Sequence, residues 1–170
     1  MENKEKQVIS KKRVADHGEV LTARREVDAM LDLVKQETER IESRFLEPAC
    51  GIGNFLIVIL ERKLAVIERK LAQQEKRLKK AEKRPGWKAP SYEPDSLLAL
   101  SSIYGIDILQ DSIDAAKARL LAYFVESYQR IVEKEIPQEM ISAASFILDK
   151  NILLGDAINP QDKVTVPGVP

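Results

Sequence analysis

Gly51 and Gly53 fall in the run Glu47-Pro48-Ala49-Cys50-Gly51-Ile52-Gly53-Asn54, between a short apolar segment and a long helical one. A glycine turn there lets the main chain approach a ligand closely, and two acids further along, Asp107 and Asp156, also follow apolar segments. Singly, each feature has an ordinary meaning: glycines mark turns, an acid at a strand end caps a helix, and Gly155-Asp156 is a common turn pair. Together they fall where open parallel sheets bind ligands, outside the carboxyl ends of successive strands. The turn lacks the third glycine of a dinucleotide fingerprint, since Leu56 stands there, and no phosphate-binding lysine follows. Glu47 and Asp156 make the surroundings negative, which repels a pyrophosphate and suits a cation. Asp107 is placed to accept hydrogen bonds from a ribose diol. A nucleoside carrying positive charge and no phosphate fits, and S-adenosylmethionine is such a molecule.

Placing these residues requires strands and helices in alternation. Thr22 reads as an N-cap, followed by Val27, Met30, Leu31 and Val34 at one-faced helical spacing. Arg44-Phe45-Leu46 reads as the first strand, and a helix follows over about residues 54–84, stopped by Pro85 and Gly86. Residues 87–100 read as a loop passing into a short helical stretch at 96–100, and residues 102–108 as a second strand ending in an acid. Asp111 or Ser112 can cap the next helix, whose buried face would be Ile113, Ala116, Leu120, Phe124, Tyr128 and Ile131. A helix over about 138–148 then precedes a third strand at 151–154. The order predicts an α/β fold with a parallel sheet and right-handed crossovers.

With the motifs in place, a family resemblance can be stated. Glu47-Pro48-Ala49-Cys50-Gly51-Ile52-Gly53-Asn54-Phe55 resembles motif I of the S-adenosylmethionine-dependent DNA methyltransferases, specifically the adenine-N6 enzymes of restriction-modification systems. Gly18-Glu19-Val20-Leu21-Thr22-Ala23 resembles their motif X, which in the γ arrangement precedes motif I. Tyr104-Gly105-Ile106-Asp107-Ile108 resembles motif II, and Asn151-Ile152-Leu153-Leu154-Gly155-Asp156-Ala157 resembles motif III. The resemblance implies a Rossmann-like methyltransferase fold, here partial with three strands, and places Thr22, Glu47, Ala49 and Gly51 around the methionine moiety. It also implies cofactor-binding roles for Gly53, Asn54 and Phe55, for Asp107 at the ribose with Ile108 against the adenine, and for Asp156 at the adenine amino group.

Two departures matter. Ala23 stands where the family usually has proline, and the catalytic motif Asn/Asp-Pro-Pro-Tyr/Phe is nowhere in the chain. Asn159-Pro160 is followed by Gln161-Asp162, without the second proline or the aromatic that would stack on a flipped adenine. No catalytic residue is therefore assigned, and the chain reads as the cofactor-binding N-terminal part of a site-specific DNA methyltransferase, inactive alone. Direct attack of the target amine on the sulfonium methyl would need the missing motif. In the family's sheet the first strand lies between the second and fourth, so its outer edge is expected to be open and to invite self-association.

Residues 61–88 form seven-residue units with Leu64, Leu71 and Leu78 at heptad a, Ile67, Gln74 and Ala81 at d, Glu at e and a basic residue at g. They hold 11 Lys or Arg against 4 Glu, a net of +7, which leaves −7 for the remainder of a chain with 27 basic and 27 acidic residues. This long charged helical insertion reads as a solvated helix, as a parallel coiled coil over 61–84, or as a basic face for DNA phosphates. The expected organisation is a flexible 1–12, a cofactor-binding half-domain over 13–60 and 89–160, the insertion at 61–88, and a tail at 161–170. DNA is the expected partner, reached mainly through a further C-terminal region.

The remaining bounds are negative. One cysteine, Cys50, allows no intrachain disulfide, and the N-terminus lacks the apolar stretch of a signal peptide, so a cytoplasmic protein is expected. No apolar run approaches a membrane span, and one His with one Cys argues against a zinc site or a Cys/His nucleophile pair, though Asp and Glu could still hold a magnesium ion. Other readings of the same residues are a non-catalytic Rossmann-like or coiled-coil scaffold, or a methyltransferase acting on RNA or protein.

Overall fold

The computed structural model describes residues 22–78 and 92–158 of the 170. Residues 1–21, including most of the motif X segment, lie outside them, as do the expected helix stop at Pro85 and Gly86 and the Asn159-Pro160 turn. Among the described residues there are six helices and three strands, and the fold is mixed α/β around a parallel sheet.

Helix α1 spans Arg24–Asp32, and its cap corrects the expectation at Thr22. Ala23 is the N-cap, and its N–H donates to the Glu26 carboxylate at 3.1 Å. Alanine has no hydroxyl to offer the first-turn amides, and the Glu26 carboxylate instead takes the N-cap residue's own N–H, the reciprocal half of a capping box. Val27 and Leu31 are buried while Met30 and Val34 are exposed, a narrower stripe than the spacing predicts. After a single turn, α2 at Lys35–Thr38, the chain enters β1, Phe45–Glu47.

Helix α3 runs Asn54–Leu78. Leu56, Leu60, Leu64 and Ile67 recur at helical spacing and are at most 1% exposed, so the first turns of the heptad sequence belong to the core. Leu64 and Ile67, the first a and d positions, are covered by this chain itself.

Helix α4 spans Tyr92–Ser101, longer than the predicted stretch at 96–100. Pro94 signalled a loop, yet it sits in the first turn, where the missing N–H would have had no helical partner. Strand β2 is Ile103–Asp107, followed by α5 at Gln110–Val132, α6 at Gln138–Asn151 and β3 at Ile152–Leu154. The N-cap of α5 is Leu109, upstream of both residues predicted to cap it, because Asp107 Oδ1 takes the Leu109 N–H at 2.9 Å. The predicted face of α5 is buried at Ile113, Ala116, Leu120, Phe124 and Tyr128, with Ile131 partly buried at its end.

The sheet order is β1-β2-β3, all parallel, with Phe45 opposite Ile103, Glu47 opposite Gly105, and Gly105 opposite Ile152. Paired residues share a face. Ile103, Gly105 and Ile152 are buried on one face; on the other, Leu46, Tyr104, Ile106 and Leu153 are all partly or largely exposed. β2 is the central strand, and among the described residues β1 has a neighbour on one side only.

At the starting end of the strands one charged side chain is fully buried. Lys63 of α3 donates from Nζ to Ile41 O at 2.9 Å, to Ser43 O, and to Ser102 Oγ at 2.5 Å, with Nζ 5.3 Å from the Phe45 ring centre. Burial lowers its pKa to about 8, against the raising pull of Glu42 and Glu37. Three acceptors consume its three hydrogens, which is how an ammonium without a counter-ion in contact is tolerated inside.

Candidate functional site

The opposite end of the sheet is built by the turn after β1. Cys50 N–H donates to Ile106 O at 2.9 Å, so the chain returns to β2 three residues past the strand. It then turns through Gly51, with φ of +51°, and Gly53, with φ of +81°, and Gly53 N–H closes on Cys50 O at 2.8 Å. Both backbone angles lie where side chains are strained. A Cβ on Gly53 would also stand 3.2 Å from Ala116 Cβ, so glycine there lets α5 come close; a Cβ on Gly51 would meet nothing within 4 Å.

Asp107 ties the strand ends together. Its Oδ2 accepts from Gly51 N–H at 2.8 Å, its Oδ1 from Leu109 N–H at 2.9 Å, and its main-chain oxygen from Gly155 N–H at 2.9 Å. One residue therefore holds the glycine turn, the start of α5 and the end of β3. Each carboxylate oxygen accepts one of these bonds and keeps a second acceptor position. Asp156 comes next after Gly155, and its Oδ1 accepts from Ile158 N–H at 2.8 Å.

The other predicted residues are placed around this hub. Glu47 Oε1 accepts from Ala49 N–H at 3.3 Å, and burial raises the Glu47 pKa above the usual carboxylate value, partly offset by that hydrogen bond. Asn54 opens α3, and its Nδ2 donates to Thr22 O at 3.0 Å, bringing the N-terminal segment to the turn. Phe55 is partly buried against the core, whereas Ile108 is 57% exposed beside Asp107. Hydrogen bonds thus connect Thr22 to Asn54, and Gly51 to Asp107 and on to Gly155.

Two residues at this end were given no role at the site from the sequence. Arg119 of α5 donates from Nη1 to Ile52 O at 2.6 Å and to Asn54 Oδ1 at 2.8 Å. Its position one residue before the buried Leu120 looks like any helix-flank cation, and only the approach of α5 at Gly53 brings it to the turn. Cys50 is buried under the turn, and burial, followed by Asp107 and Glu47, pushes its thiol up to about 12, so it stays protonated and is no nucleophile at neutral pH.

The arrangement is an acidic, partly desolvated rim around an open glycine turn, whose carboxylates each accept from main-chain amides and retain further acceptor positions. Among the described residues no cluster of three or more His, Cys, Asp or Glu could hold a metal ion, and no helix is long and apolar enough to cross a membrane. No curated protein matches the chain, and no solved structure does. The family model described as MmeI, DNA-methyltransferase domain, matches residues 21–166.

Proposed function

We infer, from the premise that the chain belongs to the MmeI DNA-methyltransferase domain family, that it binds S-adenosylmethionine across its strand ends and serves methylation of adenine N6 in DNA. Membership makes it a DNA methyltransferase of restriction-modification; the cofactor, the target atom and the residue roles are our reading. The observation that carries it is Asp107, whose carboxylate holds the glycine turn while keeping an acceptor position on each oxygen.

The residues fit the cofactor on their own chemistry. A ribose diol finds two acceptors on Asp107, and an ammonium or sulfonium finds the Glu47 carboxylate, whose raised pKa marks an anion short of solvation. The space in front of Gly51 is open to a ligand, and a side chain there would enter it. Asp156 offers a carboxylate for an exocyclic amine one residue beyond the Gly155 link to Asp107. When bound, S-adenosylmethionine supplies a methyl group activated by its sulfonium. The chain's own residues bind and orient that group and set the polarity around it.

Calorimetric titration with S-adenosylmethionine tests the reading. The wild-type chain should bind, and Asp107→Ala should weaken binding by roughly a hundredfold, the value of two hydrogen bonds to a charged acceptor. Binding that is absent, or unaltered in Asp107→Ala, would turn the interpretation toward a non-catalytic module with the same fold.

A further inference from the structure

The contacts around Asn54 form a relay that cofactor contact alone does not require. Arg119 Nη1 reaches Ile52 O at 2.6 Å and Asn54 Oδ1 at 2.8 Å, and Asn54 Nδ2 reaches Thr22 O at 3.0 Å. The chemistry of the partners fixes the amide's orientation. A guanidinium only donates and a main-chain carbonyl only accepts, so the residue between them must present an acceptor to one and a donor to the other. Asparagine does both; aspartate would keep the first contact and set a carboxylate oxygen against the Thr22 carbonyl. The same N-terminal segment is fastened a second time, because Arg24 Nη2 pairs with Glu61 of α3 at 2.6 Å. Arg119 is exposed, and partial desolvation lowers its pKa while Glu61 pulls the other way.

We propose that Arg119 is a positioning residue for the cofactor: through Ile52 and Asn54 it sets the Gly51-Gly53 turn and draws the Thr22 segment against it, so that two borders of the pocket keep one geometry. This rests on the reading that the turn binds S-adenosylmethionine, but the relay itself exists without ligand and can be tested without it.

The experiment compares Arg119→Met, Arg119→Lys and Asn54→Asp with wild type. Three readouts are taken: amide hydrogen exchange of the ligand-free protein, melting temperature, and Kd for S-adenosylmethionine. Arg119→Met should speed exchange at residues 22–24 and 51–54 while β1 and β2 keep their protection, and should weaken cofactor binding about tenfold. Arg119→Lys, with one compact donor group, should recover part of both effects. Asn54→Asp should loosen residues 22–24 and spare 51–53. Unchanged exchange in both segments, loss of protection throughout the protein, or faster exchange with unaltered Kd would overturn the proposal. If Arg119→Met does not fold, Asn54→Asp decides, and unchanged exchange at 22–24 overturns it. A wild-type protein that binds no cofactor would remove the functional reading, whereas the exchange comparison would still decide whether the relay exists.

Discussion

Each end of the sheet uses one charged side chain to gather main-chain groups, with opposite sign at the two ends. Where the strands begin, Lys63 collects the Ile41 and Ser43 carbonyls and the Ser102 hydroxyl; where they finish, Asp107 collects the Gly51 and Leu109 amides. Lys63 is fully buried and has spent every hydrogen it can donate. Asp107 is only partly buried and adjoins Gly51, which faces open space. The same device closes one end and leaves the other with capacity to take a ligand. Under the function proposed above, the first end serves the fold and the second the ligand.

The sharpest way to break this contrast is Lys63→Met. It leaves two buried acceptors and the part-buried Ser43 carbonyl without this donor and should destabilise the fold by roughly 2 to 4 kcal/mol, while cofactor affinity, measured below the melting transition, stays within twofold. A large change in affinity with little change in stability would show the two ends to be coupled.

A smaller effect separates the ends by pH. Lys63 titrates at about 8 in the folded protein against 10.5 ordinarily, so the folded state binds fewer protons in that interval and gains stability as pH rises through it. Cys50, beneath the glycine turn, goes from 9.0 to about 12, so the unfolded chain loses its proton first and stability falls as pH rises above 9. Between pH 9 and 10.5 the two oppose one another. Denaturant unfolding should therefore give Cys50→Ala a slope more positive than wild type, by up to about 1.4 kcal/mol per pH unit, and Lys63→Met a slope more negative. Parallel curves for all three proteins would remove the pH contrast.

The smallest expected effect belongs to Glu47→Gln, which should weaken cofactor binding roughly two- to fivefold, as befits a partly exposed charge. Because the Glu47 pKa is raised, wild-type affinity should decline as pH falls toward it, and the glutamine variant should lack that component. Calorimetry across acidic pH checks both.

The end where the strands finish was the more legible in the sequence. A glycine turn, an acid after the second strand and an acid after the third are local signals, and the periodicity of α5 exposed its buried face from Ile113 to Tyr128 without help from tertiary structure. The sealed end was not legible. Lys63 occurs in a basic heptad run, where nothing local separates it from Lys70, and its burial follows from how α3 meets the segment before β1. Arg119 was missed for the same reason, as its partners lie 65 and 67 residues away. Pro94 misled because a proline signals a loop or a first helical turn equally well.

The register also sets a timetable. Phe45 pairs with Ile103, so during synthesis at about 5 to 20 residues per second β1 waits roughly 3 to 12 s before its partner strand has been made. In that interval it is an unpaired edge, the kind of segment that templates wrong pairings between nascent chains. At three residues, β1 offers such a template only a few backbone groups, and that brevity makes the delay tolerable.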